Sequence, residues 1–174
     1  MRHLILFRHA KSDWSANGAK DHDRELAPRG IVAAPLMASW LQDEGFAPDH
    51  ILCSTAQRTR QTLDLALTQW PDKPHVHFDK GLYLSSQDRI IRLIKEHGGD
   101  AETLMVLGHN PDMHDLTLDL VGPEYEAAAS AQIGKYPTAA IAVLEFDIET
   151  WADIAKGGGR FVAFEKPKDL SEKA

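Results

Sequence analysis

Two arginines and two histidines stand where they could handle a phosphoryl group. Arg8 and His9 follow an apolar run directly, Arg58 lies early in a helical stretch, and His109 follows a second apolar run. Guanidinium forks match phosphate oxygens, and the free amides of a helix start welcome an anion. If His9 attacks phosphorus, its ring nitrogen carries the phosphoryl group until water removes it, which splits one hard displacement into two easier ones. Arg8, Arg58 and His109 would then stabilise charge on the equatorial oxygens. The attacking nitrogen must be unprotonated, which nearby positive charge favours by lowering the histidine pKa. The other ring nitrogen needs an anchor, most simply a backbone carbonyl. Lys11 and Asn110, close to the two histidines in sequence, are candidate substrate contacts.

Such residues need a scaffold that brings them together, and the apolar pattern supplies one. His3 to Phe7, His50 to Cys53, His75 to Phe78, Thr103 to Leu107, Ala139 to Phe146 and Arg160 to Phe164 read as strands. Between them, helical spacing runs from Ile31 to Leu41, with Pro28 as a possible opener and Gly45 as a stop. Another helix follows Ser54-Thr55 toward Trp70, a third runs from Ser86 or Gln87 through Ile94 to Gly98-Gly99, and a fourth starts at Asn110-Pro111. Lys11 to Arg29, punctuated by Asn17-Gly18 and Pro28, reads as a loop. Alternating strands and helices imply an α/β fold, a three-layer α/β/α sandwich around a mostly parallel sheet. Ligands in such sheets bind beyond the carboxyl ends of the strands. That rule gathers Arg8, His9, Arg58 and His109 into one expected pocket.

With 174 residues the chain suits one compact domain, expected over residues 1–166, with a charged and frayed tail over 167–174. Apolar residues are 43% and charged residues 26%, ordinary globular usage. The net charge of −7 disfavours nucleic acid or anionic lipid as a partner, so a bound anion must meet a local basic pocket. Cys53 is the single cysteine, which excludes an intramolecular disulfide and a cysteine zinc cage and suits a reducing cytoplasm. It reads as packing in a buried strand. Leu4 to Phe7 is too short for a signal-peptide core or a membrane span.

Other conspicuous residues have plainer readings. Arg24 and Arg29 suit ion pairs that hold the early loop, and Arg60 and Lys11 suit solvated or substrate-adjacent positions. Trp14 fits a pocket rim or a core contact equally. His75 and His77 share one face of a strand, yet no third ligand is evident in the sequence, so no metal site is expected.

Four segments in order carry a closer likeness. They are Leu4-Ile5-Leu6-Phe7-Arg8-His9-Ala10-Lys11-Ser12 with Trp14, then Asp23-Arg24 with Leu26, Arg29 and Gly30, then Ser54 through Thr62, then Gly108-His109-Asn110-Pro111. Together with Tyr136-Pro137-Thr138 and the strand up to Phe146, they resemble the histidine phosphatase superfamily and, within it, the SixA-type phosphohistidine phosphatases. The resemblance implies a phosphoglycerate-mutase-like fold, His9 as nucleophile, and Arg8, Arg58 and His109 as phosphate ligands. It implies hydrolysis of phosphohistidine on a signalling or phosphotransfer protein, with no metal and no cofactor.

Two departures shape the substrate expectation. Ala10 follows the nucleophile where many relatives have glycine, and Asp79-Lys80-Gly81-Leu82-Tyr83-Leu84 offers no glutamate as proton donor. The donor stays open among Asp79, Tyr83, Asp88 and water. The stretch from Thr62 to His109 has no room for a large lid beside its strands and helix. An open pocket suits a protein side chain, and a labile phosphorus–nitrogen bond needs little acid assistance. A small phosphoester substrate and a phosphate-binding module without turnover are the alternatives.

Overall fold

The computed structural model describes residues 1–15, 18 and 20–173. Asn17, expected as loop punctuation, lies outside the described residues. Six strands form one sheet: β1 (Arg2–Arg8), β2 (His50–Ser54), β3 (His75–Asp79), β4 (Thr103–Gly108), β5 (Ile141–Phe146) and β6 (Gly159–Glu165). Their order is β3-β2-β4-β1-β5-β6. The first four in that order run parallel, while β5 and β6 add an antiparallel edge. The sheet is thus mostly parallel, as the pattern predicts.

Alternation along each strand splits the core in two. Ile5, Phe7, Ile51, Cys53, Met105, Leu107, Ile141 and Val143 face one layer, where α1 (Pro28–Asp43) contributes Ala34, Met37, Ala38 and Leu41. The same layer takes Leu63 and Ala66 from α2 (Gln57–Leu67). Leu4, Leu6, Leu52, Leu104, Val106, Ala142 and Leu144 face the other, covered by α3 (Gln87–His97), α4 (Asp112–Leu120) and α5 (Pro123–Ile133). Side chains of period two on the strands therefore feed two helix layers, the three-layer sandwich. Each fully buried Leu, Ile or Phe here stabilises the fold by roughly 1.5–3 kcal/mol. Among the described residues no helix is long and apolar enough to cross a membrane.

The differences from the sequence reading have local causes. Pro28 does open α1, and Pro35 is tolerated inside it. Helix α2 stops at Leu67 rather than at Trp70, and Ala56, not Ser54 or Thr55, sits at its N-cap. Helix α4 has Pro111 at the N-cap instead of Asn110. Helix α5 was not expected, because its Ala-rich sequence buries only Ala129 and Ile133 and so carries no apolar stripe. Propensity and Pro123 at its first position form it instead. The tail expected to fray forms α6 (Pro167–Lys173), with Leu170 packed against the α1 layer.

Candidate active site

Adjacent strands carry the key residues to one edge. Arg8 on β1 lies opposite Gly108 on β4, and Cys53 on β2 lies opposite Leu107. The residues that follow, His9, Ser54 and His109, therefore emerge side by side at the carboxyl end of the sheet. The backbone of His9 is clamped from both sides: its N–H donates to Gly108 O at 3.0 Å, and its carbonyl accepts from Ala139 N at 2.9 Å. Ala10 N donates to Thr62 Oγ1 at 3.0 Å, and that hydroxyl donates to Arg58 O at 2.7 Å. One threonine thus ties the loop after β1 to the helix that carries Arg58.

The ring of His9 has a defined tautomer. Its Nδ1 lies 2.7 Å from Ala10 O, and a carbonyl can only accept, so Nδ1 carries the proton and Nε2 keeps its lone pair. His9 is buried, and burial with the nearby His109, Arg58 and Arg8 pushes its pKa well below the ordinary histidine value, against the pull of its bond to Ala10.

His109 sits beside it, with ring centroids 5.3 Å apart. Its Nε2 is 2.8 Å from Ser54 Oγ, and the same hydroxyl accepts from Ala56 N at 3.3 Å. Of these two partners the amide can only donate, so the proton of the buried Ser54 hydroxyl has Nε2 as its acceptor, which leaves the proton of His109 on Nδ1. Burial, then the Arg58 guanidinium, lowers the His109 pKa to about 3, so the ring is neutral near pH 7.

The arginines are each held by part of the fork. Arg8 Nη1 donates to Tyr136 O at 2.9 Å, and Arg58 Nη1 donates to Asp21 O at 2.7 Å, with Nη2 3.2 Å from Asp21 Oδ2. Their Nε atoms are buried and bond nothing, as is Nδ1 of His109. Buried donors are rarely left orphaned, because each one costs roughly 1–3 kcal/mol of lost hydration. Three of them on these three residues mark a place for an acceptor-rich anion.

Asp21 was missed by the sequence reading, since it lies in the stretch read as loop. It occupies a 3₁₀ turn, Asp21–Asp23, and accepts from Arg58, Arg24 and the Tyr83 hydroxyl. The Tyr83 bond, with Arg58 and Arg24 against slight burial, holds its carboxyl at about 2. Tyr136 was noticed only as part of a late segment. Its backbone takes the left-handed φ of 52°, and its carbonyl accepts from both Arg8 and Asn110. Such strain persists where surroundings over-determine it, and here the buried ring and its hydroxyl, bonded to Leu6 O, do so.

The remaining expected residues are placed as follows. Asn110 is not free for substrate: its amide donates to Lys135 O and Tyr136 O, and its Oδ1 accepts from His114 N. It fixes the carbonyl that Arg8 uses. Lys11 lines a groove of about 640 Å³ with Arg29, Lys166 and Lys168 above an apolar floor of Val32, Ala33 and Leu36. Arg24 pairs with Asp21 at 3.0 Å, as the loop reading expected, and stacks on Trp14, which is exposed rather than packed in the core. Of the candidate proton donors, Asp88 pairs with Lys156 at 2.8 Å, and Asp79 is bonded to Gly81 N and His77. Tyr83 gives its hydroxyl to Asp21, which raises its pKa. His75 and His77 part company: His75 turns to His50, while His77 stacks on His97 beside Asp79. Arg60 lies over Phe78, away from the histidine pair. Cys53 is buried, and burial pushes its thiol far up.

Comparison with known proteins agrees with this geometry. The sequence profile of the histidine phosphatase superfamily (branch 1) matches residues 4–83. An uncharacterised protein of Mycobacterium tuberculosis is 39% identical over 163 residues, covering 92% of this chain and 99% of that one. Two solved structures, provisionally designated phosphohistidine phosphatase SixA, superpose over 95% of this chain. The one from Nakamurella multipartitia has a TM-score of 0.82 at 30% identity, with 96% of its chain covered. The one from Agrobacterium tumefaciens has 0.79 at 28%, with 99% covered.

Proposed function

The chain belongs to the histidine phosphatase superfamily, in its SixA type and phosphoglycerate-mutase-like fold, and is a phosphatase; from that premise we propose that it removes the phosphoryl group from phosphohistidine on a protein, through a covalent intermediate on His9. The observation that carries this reading is the set of orphaned donors, Arg8 Nε, Arg58 Nε and His109 Nδ1, around a histidine whose Nε2 holds a free lone pair.

In the first step His9 Nε2 forms a bond to phosphorus as the bond from phosphorus to the substrate nitrogen breaks. Arg8, Arg58 and His109 donate to the three equatorial oxygens, where charge is carried in the transition state. The departing imidazole takes the electron pair of the broken bond and leaves neutral when its other nitrogen carries a proton. In the second step water attacks phosphorus, the bond to His9 breaks, and inorganic phosphate departs. Ala10 O holds the Nδ1 proton throughout, so the ring can bear the phosphoryl group without turning.

The state of the acids supports a nitrogen leaving group over an alkoxide. Asp21 is ionised, the Tyr83 hydroxyl is committed to it, and Asp79 and Asp88 are paired elsewhere. An alkyl phosphate needs a proton at its leaving oxygen, whereas phosphohistidine does not. Two guanidiniums at the site also repel a metal cation, in keeping with metal-independent chemistry. The cationic groove that starts at Lys11 suits an acidic flank of a protein substrate.

The test is dephosphorylation of a histidine-phosphorylated protein in the presence of a chelator, beside p-nitrophenyl phosphate, for the wild type and His9→Ala. Rapid loss of protein phosphate that the substitution abolishes is the expected result. Turnover of the small ester alone would overturn the substrate, full activity of His9→Ala would overturn the nucleophile, and phosphate binding with no hydrolysis would overturn catalysis.

A further inference from the structure

At the outer edge of the sheet, on the strand next to the one that carries Ser54, two histidines and a carboxylate converge. His77 Nε2 lies 3.2 Å from Asp79 Oδ2, and His97 Nε2 lies 4.0 Å from the same oxygen. The three ligand atoms all fall within 4.8 Å of one another. His77 and Asp79 are two apart on β3 and so project to one face, while His97 is the last residue of α3. Two separate elements thus bring nitrogen and oxygen into one cluster.

We propose that His77, Asp79 and His97 form a binding site for a divalent transition-metal ion of the zinc class, which clamps edge strand β3 to the end of α3. This rests on the cluster alone and is independent of the phosphatase reading. Three ligands at about 2.0–2.2 Å from a common tetrahedral ion lie roughly 3.2–3.5 Å apart. The first separation already matches, the second closes by about half an ångström, and the third, between the two histidines and within 4.8 Å, closes as the His97 imidazole turns at the helix end.

The alternative, a simple ion-pair network, fits the rings less well. His77 and His97 are stacked, with centroids 4.0 Å apart and planes 23° from parallel. His97 Nε2 stands 4.0 Å from Asp79 and 3.9 Å from Glu96 Oε2, beyond hydrogen-bond range of either. An ion between them would supply the missing partner. Asp79 itself is anchored, since its Oδ1 accepts from Gly81 N at 2.8 Å, which leaves Oδ2 directed at the histidines. Two imidazoles and one carboxylate suit zinc, nickel or copper better than magnesium or calcium. The side chains are partly exposed, so water or Glu96 can fill the fourth position.

The experiment uses untagged protein, stripped with a chelator, and titrates it with Zn²⁺ by calorimetry and with Co²⁺ by visible absorption. Variants are His77→Ala, His97→Gln and, as a control on the neighbouring histidine pair, His50→Ala. Expected are one ion per chain, the intense visible bands of tetrahedral cobalt, and a rise in Tm with Zn²⁺. His77→Ala and His97→Gln should each weaken binding by at least roughly tenfold, while His50→Ala binds as the wild type does. Circular dichroism and unchanged p-nitrophenyl phosphate turnover establish that the variants fold. Absence of stoichiometric binding by the wild type, or wild-type affinity in the His77 and His97 variants, would overturn the site.

Discussion

Ser54 and His109 are joined by a hydrogen bond of 2.8 Å that leaves the imidazole proton on Nδ1, the nitrogen with no other partner. Ser54→Ala removes the group that fixes this tautomer. A hydrogen bond of about 1 kcal/mol sets the scale of the loss at several-fold in kcat, with a similar loss of stability. Steady-state kinetics on either substrate and a denaturant titration check it. A kcat equal to that of the wild type would show that the tautomer is fixed by something else.

Acid should affect this protein late. His9 is held well below the ordinary histidine value and His109 at about 3, so both rings are neutral at pH 6. The proposed nucleophile is the neutral form of His9, so the acid limb of kcat/KM attributable to the enzyme should lie well below pH 6.5. A bound phosphoryl dianion favours protonated imidazole, so the limb of kcat should lie higher than that of kcat/KM. The same shifts act on stability. The unfolded chain takes up protons near pH 6.5 and the folded chain only far lower. The stability that comes from keeping these rings neutral is therefore complete above pH 6.5 and is lost as pH falls toward about 3. Denaturant titrations at pH 7 and pH 5 should show the drop, and His109→Asn should reduce it.

Gly30 is fixed by its neighbour in space. A Cβ there would lie 2.2 Å from Lys11 O and 2.9 Å from Lys11 N, both backbone atoms that cannot swing aside. Gly30→Ala must push the loop after His9 away from α1. The expected cost is about 1–3 kcal/mol in stability, the range for overpacking, together with a fall in kcat as Ala10 O shifts under the nucleophile. Tm and kcat measured together decide this, and a wild-type value of either would count against the close approach.

Lysine is a poor substitute for Arg58. It keeps the charge but has no Nε–H in a planar fork, the donor left free here for an anion. Arg58→Lys should lower kcat/KM by about 10²–10³-fold, the loss seen when one donor to a transition-state oxyanion is removed. The rise in Tm that a tetrahedral oxyanion such as tungstate gives the wild type should shrink in the variant. Equal rises in both proteins would place the anion elsewhere.

Much of this was legible in the sequence because it depends on pattern and position. Apolar strands alternating with helices put Arg8, His9, Arg58 and His109 at the carboxyl edge of one parallel sheet, where the structure has them. Partner choice was not legible. Asn110 read as a substrate contact because it follows His109, yet its amide is used by the carbonyls of residues 135 and 136, which only the tertiary fold brings near. Asp21 carried no signal because a loop carboxylate has no period, and it became important only when Arg58 arrived beside it. His77 lacked a third ligand for the same reason: His97 is on the next helix, twenty residues along the chain. Helix α5 escaped notice because alanine forms helix without an apolar stripe.

Cys53, sealed in β2 with its thiol protonated at any physiological pH, bears on how this protein meets oxidants. Thiolates, not thiols, react with peroxide, and enzymes that carry phosphate on a cysteine lose activity as that sulfur is oxidised. On the proposed mechanism the phosphoryl group would ride on a ring nitrogen, and with its single sulfhydryl hidden the protein would offer peroxide no thiolate to oxidise.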